Sequence, residues 1–183
     1  MAKVFIFVFL SAPLAYVSRA SLRAPRSHGF YRFFAWEIIL ALVLLNIEQW
    51  FRDPLSIHQL ASWFLLAATF VPGVPGIRSL ITQGRPGIQR RDDVPLLGIE
   101  KTTRLVTTGV FRYIRHPLYC SLLLLVWGVF FKNQSWVGCG LALGATAFLL
   151  ATARIEEAEN VRYFGAAYQE YMRQTKMLIP FLF

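Results

Sequence analysis

Five apolar runs separated by polar stretches dominate the chain. They cover about residues 4–17, 33–47, 55–77, 118–131 and 136–153. The first is interrupted by Pro13, the second centres on Ile-Ile-Leu-Ala-Leu-Val-Leu-Leu, and the third ends in the cluster Val71-Pro-Gly-Val-Pro-Gly76. A helix that crosses a bilayer needs roughly 17 to 25 residues. Runs one and four fall short, so flanking residues, tilt or local thinning must complete them. The first run also has features of a signal peptide, with Lys3 ahead of it and small residues near Ser18 and Ser21, but it lacks a clear A-x-A site. The pattern predicts an all-α polytopic membrane protein with about five transmembrane helices, the last two joined as a helical hairpin.

Composition agrees. Apolar types make up 56% of the 183 residues, charged types 16%, and mean hydropathy is +0.47. Disorder is excluded by that apolar content, and one soluble core of this size cannot hide so much of it. The net charge of +9 does not point to nucleic acid, because the aromatics sit in or beside the apolar runs. Cys120 and Cys139 both lie within apolar runs and make no disulfide framework.

Basic residues between the runs alternate from side to side. Segments 18–32, 78–117 and 154–183 hold sixteen Lys and Arg, while the ends and turns facing the other way hold Lys3, Arg52 and Lys132. Positive-inside bias places the N-terminus outside and the C-terminus in the cytoplasm. A single membrane domain is expected: three N-terminal helices in 1–77, a cytoplasmic basic loop in 78–117, the hairpin in 118–153, and a cytoplasmic tail in 154–183. The tight turn Lys132-Asn-Gln-Ser135 returns the chain to the same side. Arg-Tyr-Ile-Arg-His-Pro-Leu-Tyr119 and Arg154-Ile-Glu-Glu-Ala-Glu159 should therefore meet in space, and chemistry is expected where they do.

Two readings of that meeting point stay open. Arg112, Arg115 and His116, beside Tyr113 and Tyr119, suit a positive-inside anchor with interfacial tyrosines. Pro117 suits the first turn of a helix, where its missing N–H costs nothing. Glu156 and Glu157 suit a solvated helix with weak ion pairs. The same residues also suit a cationic ligand, with carboxylates for an amine and ring faces for a second positive centre.

The pattern Gly109-Val-Phe-Arg-Tyr-Ile-Arg-His-Pro-Leu-Tyr119, then Glu156-Glu157, Phe164-Gly165, Tyr168-x-x-Tyr171 and Ile179-Pro180, resembles the isoprenylcysteine carboxyl methyltransferases and their phospholipid-methylating relatives. The likeness covers about residues 102–180. It implies S-adenosylmethionine as methyl donor, held in a cytoplasmic cofactor pocket without a dinucleotide-type fold. It also implies Leu105, Val106, Phe111, Arg115, His116, Pro117, Leu118, Tyr119, Glu156 and Glu157 as the cofactor-binding set, with Arg115 partly holding the loop. The tail would complete that site. The acceptor would be apolar or lipid-borne, a carboxylate, thiol or amine reached from the bilayer.

The chain departs from the family at the acceptor end. An Arg often found one turn before the first Glu is replaced by Thr152, and Arg154, two residues before Glu156, is the remaining candidate for acceptor catalysis. Neither a metal nor nucleic acid is expected as a partner. Gly140-x-x-x-Gly144 suits a close helix contact, and Glu37 suits either the interface or an active cavity. A membrane reductase using NADPH and a non-enzymatic membrane adaptor or transporter component are the alternatives.

Overall fold

The computed structural model describes residues 1–87 and 95–179. Arg90, Arg91 and Pro180, used in the sequence reading above, lie outside the described residues. The architecture is all-α, with helices α1 Ala2–Leu22, α2 His28–Asn46, α3 Ile57–Ala68, α4 Phe70–Thr82, α5 Pro117–Phe130, α6 Trp136–Phe164 and α7 Ala166–Gln174. Among the described residues four stretches are long and apolar enough to cross a membrane: α1, α2 with its 3-10 extension, α3 with α4, and α6. The apolar α5 is shorter, 14 residues rising about 21 Å. The protein is a polytopic membrane protein, and the five expected apolar runs all form helices.

Three helices begin where the chain supplies a local reason. Ser27 caps α2 by accepting from the Phe30 N–H at 3.3 Å, and Ser135 caps α6 by accepting from Gly138 at 3.0 Å. Pro117 opens α5 in its first turn. Gly165 ends α6 at φ +61°, a conformation that side chains resist, and the chain turns there into α7.

Two expectations are corrected. The Pro/Gly cluster does not end the third helix, because α4 runs through it to Thr82. The interruption lies earlier, at Thr69 between α3 and α4, and within apolar surroundings a helix tolerates Pro when neighbours satisfy the freed carbonyls. Nor do Gly140 and Gly144 make a close contact. A methyl at Gly140 would meet nothing within 4 Å, and at Gly144 only Ile38 at 3.7 Å. Tight glycines lie elsewhere, among them Gly73 and Gly76 of α4, where an added Cβ would lie 2.7 Å from the Ser121 hydroxyl and 2.8 Å from Leu118.

The core lies between α2, α5 and α6. Ala142, Ala145, Leu149 and Ala153 recur every three or four residues along α6 and are fully buried against Ala35, Ile39 and Leu42 of α2. Small residues let the two backbones approach. Polar side chains tie helices together as well: Asn46 donates to the Val129 carbonyl at 2.9 Å and Ser62 to that of Gly128 at 2.7 Å. Glu37, expected at the interface or in an active cavity, accepts from Ser11 of α1 at 2.5 Å.

At 29 residues α6 rises about 43 Å, more than the hydrocarbon core of roughly 30 Å. Its excess length carries Glu156, Glu157 and Glu159 to the end of the bundle where α2 begins and α5 begins. The described parts of the segment between α4 and α5, residues 83–87 and 95–116, lie at that same end.

Candidate active site

Three carboxylates of one helix each bind a different element. Glu156 accepts a short hydrogen bond from the Tyr119 hydroxyl of α5, and His116 Nδ1 lies 3.8 Å from it. Glu157 accepts from Arg115 Nε at 2.6 Å and lies 3.4 Å from His116 Nε2. Glu159 accepts from both the backbone N–H and Nδ1 of His28, at 2.9 and 2.5 Å, at the start of α2. The two motif segments predicted to be neighbours are thus joined directly.

A second set of bonds fixes the loop before α5. Arg115 N–H donates to the Lys176 carbonyl at 2.8 Å and His116 N–H to that of Met177 at 3.1 Å. The Arg115 guanidinium also donates to the carbonyls of Met172, at 3.2 Å, and Thr175 at the end of α7. A cation suits those exposed carbonyls. Tyr171 donates to the Phe111 carbonyl at 2.6 Å. Tyr168 bonds Asn160. Burial, aided at Tyr168 by the charges of Glu156 and Glu157, raises both phenol pKa values well above normal, so both hydroxyls stay protonated at neutral pH.

Two cavities adjoin at this end. The first, about 80 Å³, is walled by Leu105, Val106, Phe111, Phe164, Tyr168 and Tyr171. The second, about 130 Å³, lies between Trp36, Leu97, Ile99, Leu118 and Leu122, with Arg32 and Tyr119 among its polar groups. Glu100, Phe111, Arg115, His116 and Glu156 line both. His116 stacks on Tyr119 at 5.3 Å between ring centres, and its Nε2 is buried with no hydrogen-bond partner among the described residues. Neither cavity alone reaches the roughly 300 Å³ of a typical small-molecule site. A larger ligand must use both or displace the segment that covers them.

The expected site residues fall into four groups. Leu105, Val106, Phe111, Arg115, His116 and Glu156 line the first cavity; Pro117, Leu118 and Tyr119 line the second. Glu157 lies behind them, holding Arg115. Arg154 is exposed and lines neither cavity. Thr152 is fully buried and turns its hydroxyl back to the Phe148 carbonyl at 2.7 Å, so no guanidinium enters from that position of α6.

Sequence reasoning missed Arg32, Glu100, His28 and Glu159. Arg32 reads as a loop charge in the sequence, yet it is 2% exposed. Its Nη1 donates to Glu100 and lies 3.3 Å from His28 Nε2, and the guanidinium sits over the Trp36 ring at 4.9 Å. Nothing local marks this group, because His28 and Glu159 are 131 residues apart. Among the described residues no cluster of three or more His, Cys, Asp or Glu is placed to hold a metal.

Residues 94–167 match the phospholipid methyltransferase family model. Methanethiol S-methyltransferase 2 of Bradyrhizobium diazoefficiens is 28% identical over 148 residues, 78% of this chain and 56% of that protein. Methanethiol S-methyltransferases of Crocosphaera subtropica and Pseudomonas deceptionensis are 33% and 31% identical over 76 and 77 residues, 42% of this chain in each case and 29% and 28% of those proteins. The chain spans little more than half the length of the first of these relatives, and less than a third of the other two. No solved structure matches. The resemblance read from the Arg-His-Pro and Glu-Glu motifs is therefore independently recovered, on the segment that builds the cavities.

Proposed function

We propose that the protein is an integral membrane methyltransferase that takes its methyl group from S-adenosylmethionine and transfers it to a small thiol. The observation that carries this reading is the junction of two unlike cavities at Glu156 and His116, within the segment that matches the family.

The residues present fit the donor. S-adenosylmethionine carries an ammonium, a carboxylate, a sulfonium and a flat base. Glu156 offers its carboxylate to the ammonium or the ribose hydroxyls. His116 lies between the Glu156 and Glu157 carboxylates and lines both cavities, where its ring helps to shape the site. Phe111, Phe164, Tyr168 and Tyr171 offer ring faces to the sulfonium and the base, with Leu105 and Val106 as apolar wall. Pro117, Leu118 and Tyr119 complete the site where it passes into the second cavity, and Glu157 holds Arg115 and the loop in place. The donor supplies an electrophilic methyl: a bond from the acceptor atom to the methyl carbon forms, the carbon–sulfur bond breaks with its electrons left on sulfur, and an acceptor proton is lost to solvent. For such a displacement the chain need mainly position the two partners and keep water out.

The acceptor class rests on the relatives, which are named for methanethiol. A second cavity walled by Trp36, Leu97, Ile99, Leu118 and Leu122 suits an apolar acceptor entering from the bilayer side. The positive-inside rule puts this end of the bundle in the cytoplasm, where a water-soluble donor is available. On this reading the chain acts as one membrane domain, with the 154–183 tail closing the donor site.

Calorimetry of S-adenosylmethionine with the detergent-purified protein tests the proposal. Saturable binding is expected, lost in both Glu156→Ala and His116→Ala. Folded wild-type protein that binds no donor, in detergent and again in lipid nanodiscs, overturns it.

A further inference from the structure

We infer that Arg32 is the acceptor-binding residue, and that it selects an acceptor that carries negative charge on its reacting atom. The inference rests on the methyltransferase reading and assigns the second cavity of that site. A guanidinium carries five N–H groups and is costly to bury unless they are used. Arg32 is 2% exposed, yet its Nε and Nη2 have no hydrogen-bond partner among the described residues. Only the Nη1 side is engaged, by Glu100 and His28.

The unused atoms are not scattered. Nε–H and the neighbouring Nη2–H lie on one edge of the planar group, the fork that receives a carboxylate, phosphate or other compact anion. A side chain at position 29 would crowd this edge, since a methyl there would lie 3.3 Å from Nη2 and closer still to the Ser21 hydroxyl. Trp36 covers the guanidinium face, and the cavity beside it is mostly apolar. An anion that docks there meets a charge little screened by water.

Other charged or titratable groups line the same cavity, namely Glu100, Arg115, His116, Tyr119 and Glu156, with His28 and Glu159 behind Arg32. The two carboxylates oppose an anionic acceptor. Arg115 is committed to Glu157 and the α7 carbonyls, and His116 lies between Glu156 and Glu157. Arg32 is the arginine of that cavity with N–H groups unspent. A thiol bound beside it is easier to hold as thiolate, and a cationic amine is disfavoured.

The test uses the full chain in detergent with S-adenosylmethionine and methanethiol as probes, comparing wild type, Arg32→Gln and Arg32→Lys. Donor affinity by calorimetry should stay within about threefold in both variants. The methanethiol KM should rise about 10- to 100-fold in Arg32→Gln, the loss of one hydrogen-bonded charge. The alkaline rise of kcat/KM should move to higher pH in Arg32→Gln and less in Arg32→Lys. Thermal protection by methanethiol, measured with S-adenosylhomocysteine in place of donor so that no turnover occurs, should weaken in parallel. If Arg32→Gln does not fold, Arg32→Lys keeps the charge beside Glu100 and carries the same comparison. An unchanged thiol KM and pH profile, or a donor affinity that falls as far as the thiol's, overturns the inference. Wild type that binds no donor sinks the underlying reading instead.

Discussion

Arg32 and Lys132 sit at opposite ends of the bundle, and both look like loop charges in the sequence. Each is nearly sealed from solvent, at 2% and 1% exposure, and each lies against tryptophan. Their surroundings differ. The Lys132 ammonium is 3.3 Å from the centre of the Trp63 ring and 5.4 Å from that of Trp50. It donates to the Gln59 side chain at 3.0 Å and to the Trp50 carbonyl at 3.5 Å. Gln59 in turn donates to the carbonyls of Lys132 and Gln49. That cation is used up in closing the α5–α6 turn onto α3. Arg32 has a carboxylate partner, two idle nitrogens and a cavity beside it. Burial of a charge is common to both; N–H groups left without a partner, on a residue that lines a cavity, separate Arg32 from Lys132.

The sharpest way to break this comparison is to neutralise the partner of Arg32. In Glu100→Gln a buried guanidinium loses its carboxylate, at an expected cost of about 3 kcal/mol in unfolding free energy. The double variant Arg32→Met with Glu100→Gln should recover most of that stability, because neither charge is left alone. It should not recover methanethiol turnover. Denaturant unfolding and thiol kinetics on the same preparations check both parts. Recovery of turnover along with stability would reduce Arg32 to half of a structural ion pair.

Lys132→Met is the converse. Loss of a desolvated cation–π contact and of the partner of Gln59 should cost about 2 kcal/mol. Donor affinity and thiol KM, per folded molecule, should match wild type, since Lys132 is at the far end of α5 from the cavities. A raised thiol KM in this variant would mean that general loosening of the bundle reaches the site, and the same explanation would then serve for Arg32.

Why one end was readable and the other was not follows from range. Pro117 marks the start of α5 by local backbone chemistry, and the short turn after α5 forces Arg-His-Pro and Glu-Glu together whatever else the chain does. Hydrophobic runs long enough to span a bilayer give the helices. Arg32 offers no such sign. Its place depends on α2 lying along the small-residue face of α6, so that Glu159 meets His28 and the loop residue Glu100 meets Arg32. The Pro/Gly cluster of α4 misleads because rules learned in water penalise a helix there, whereas apolar surroundings leave the backbone few alternatives. Gly140 and Gly144 mislead because spacing alone does not say which helix face has a neighbour.

The smallest expected effect concerns a buried polar group at the site end that braces, as Lys132 does at the other. Tyr171 donates to the Phe111 carbonyl and lines the first cavity by its ring. Tyr171→Phe keeps the ring and removes one hydrogen bond, so about 1 kcal/mol of stability should go, with donor affinity changed less than about threefold. The pH dependence gives an independent sign. Burial raises the Tyr171 pKa in the folded state above its value of about 10 in the unfolded chain. The unfolded form therefore releases this proton first, and the protein loses stability as pH climbs past about 10 towards the folded value. Below that point the contribution is fully present. Tyr171→Phe removes one of the buried phenols that act this way, Tyr168 being another, so its alkaline loss of stability should be shallower than that of wild type while the neutral-pH difference stays near 1 kcal/mol. Parallel alkaline curves for the two proteins would show that the Tyr171 hydroxyl is reached by water in solution, and the bond to Phe111 would then not be what holds the loop against α7.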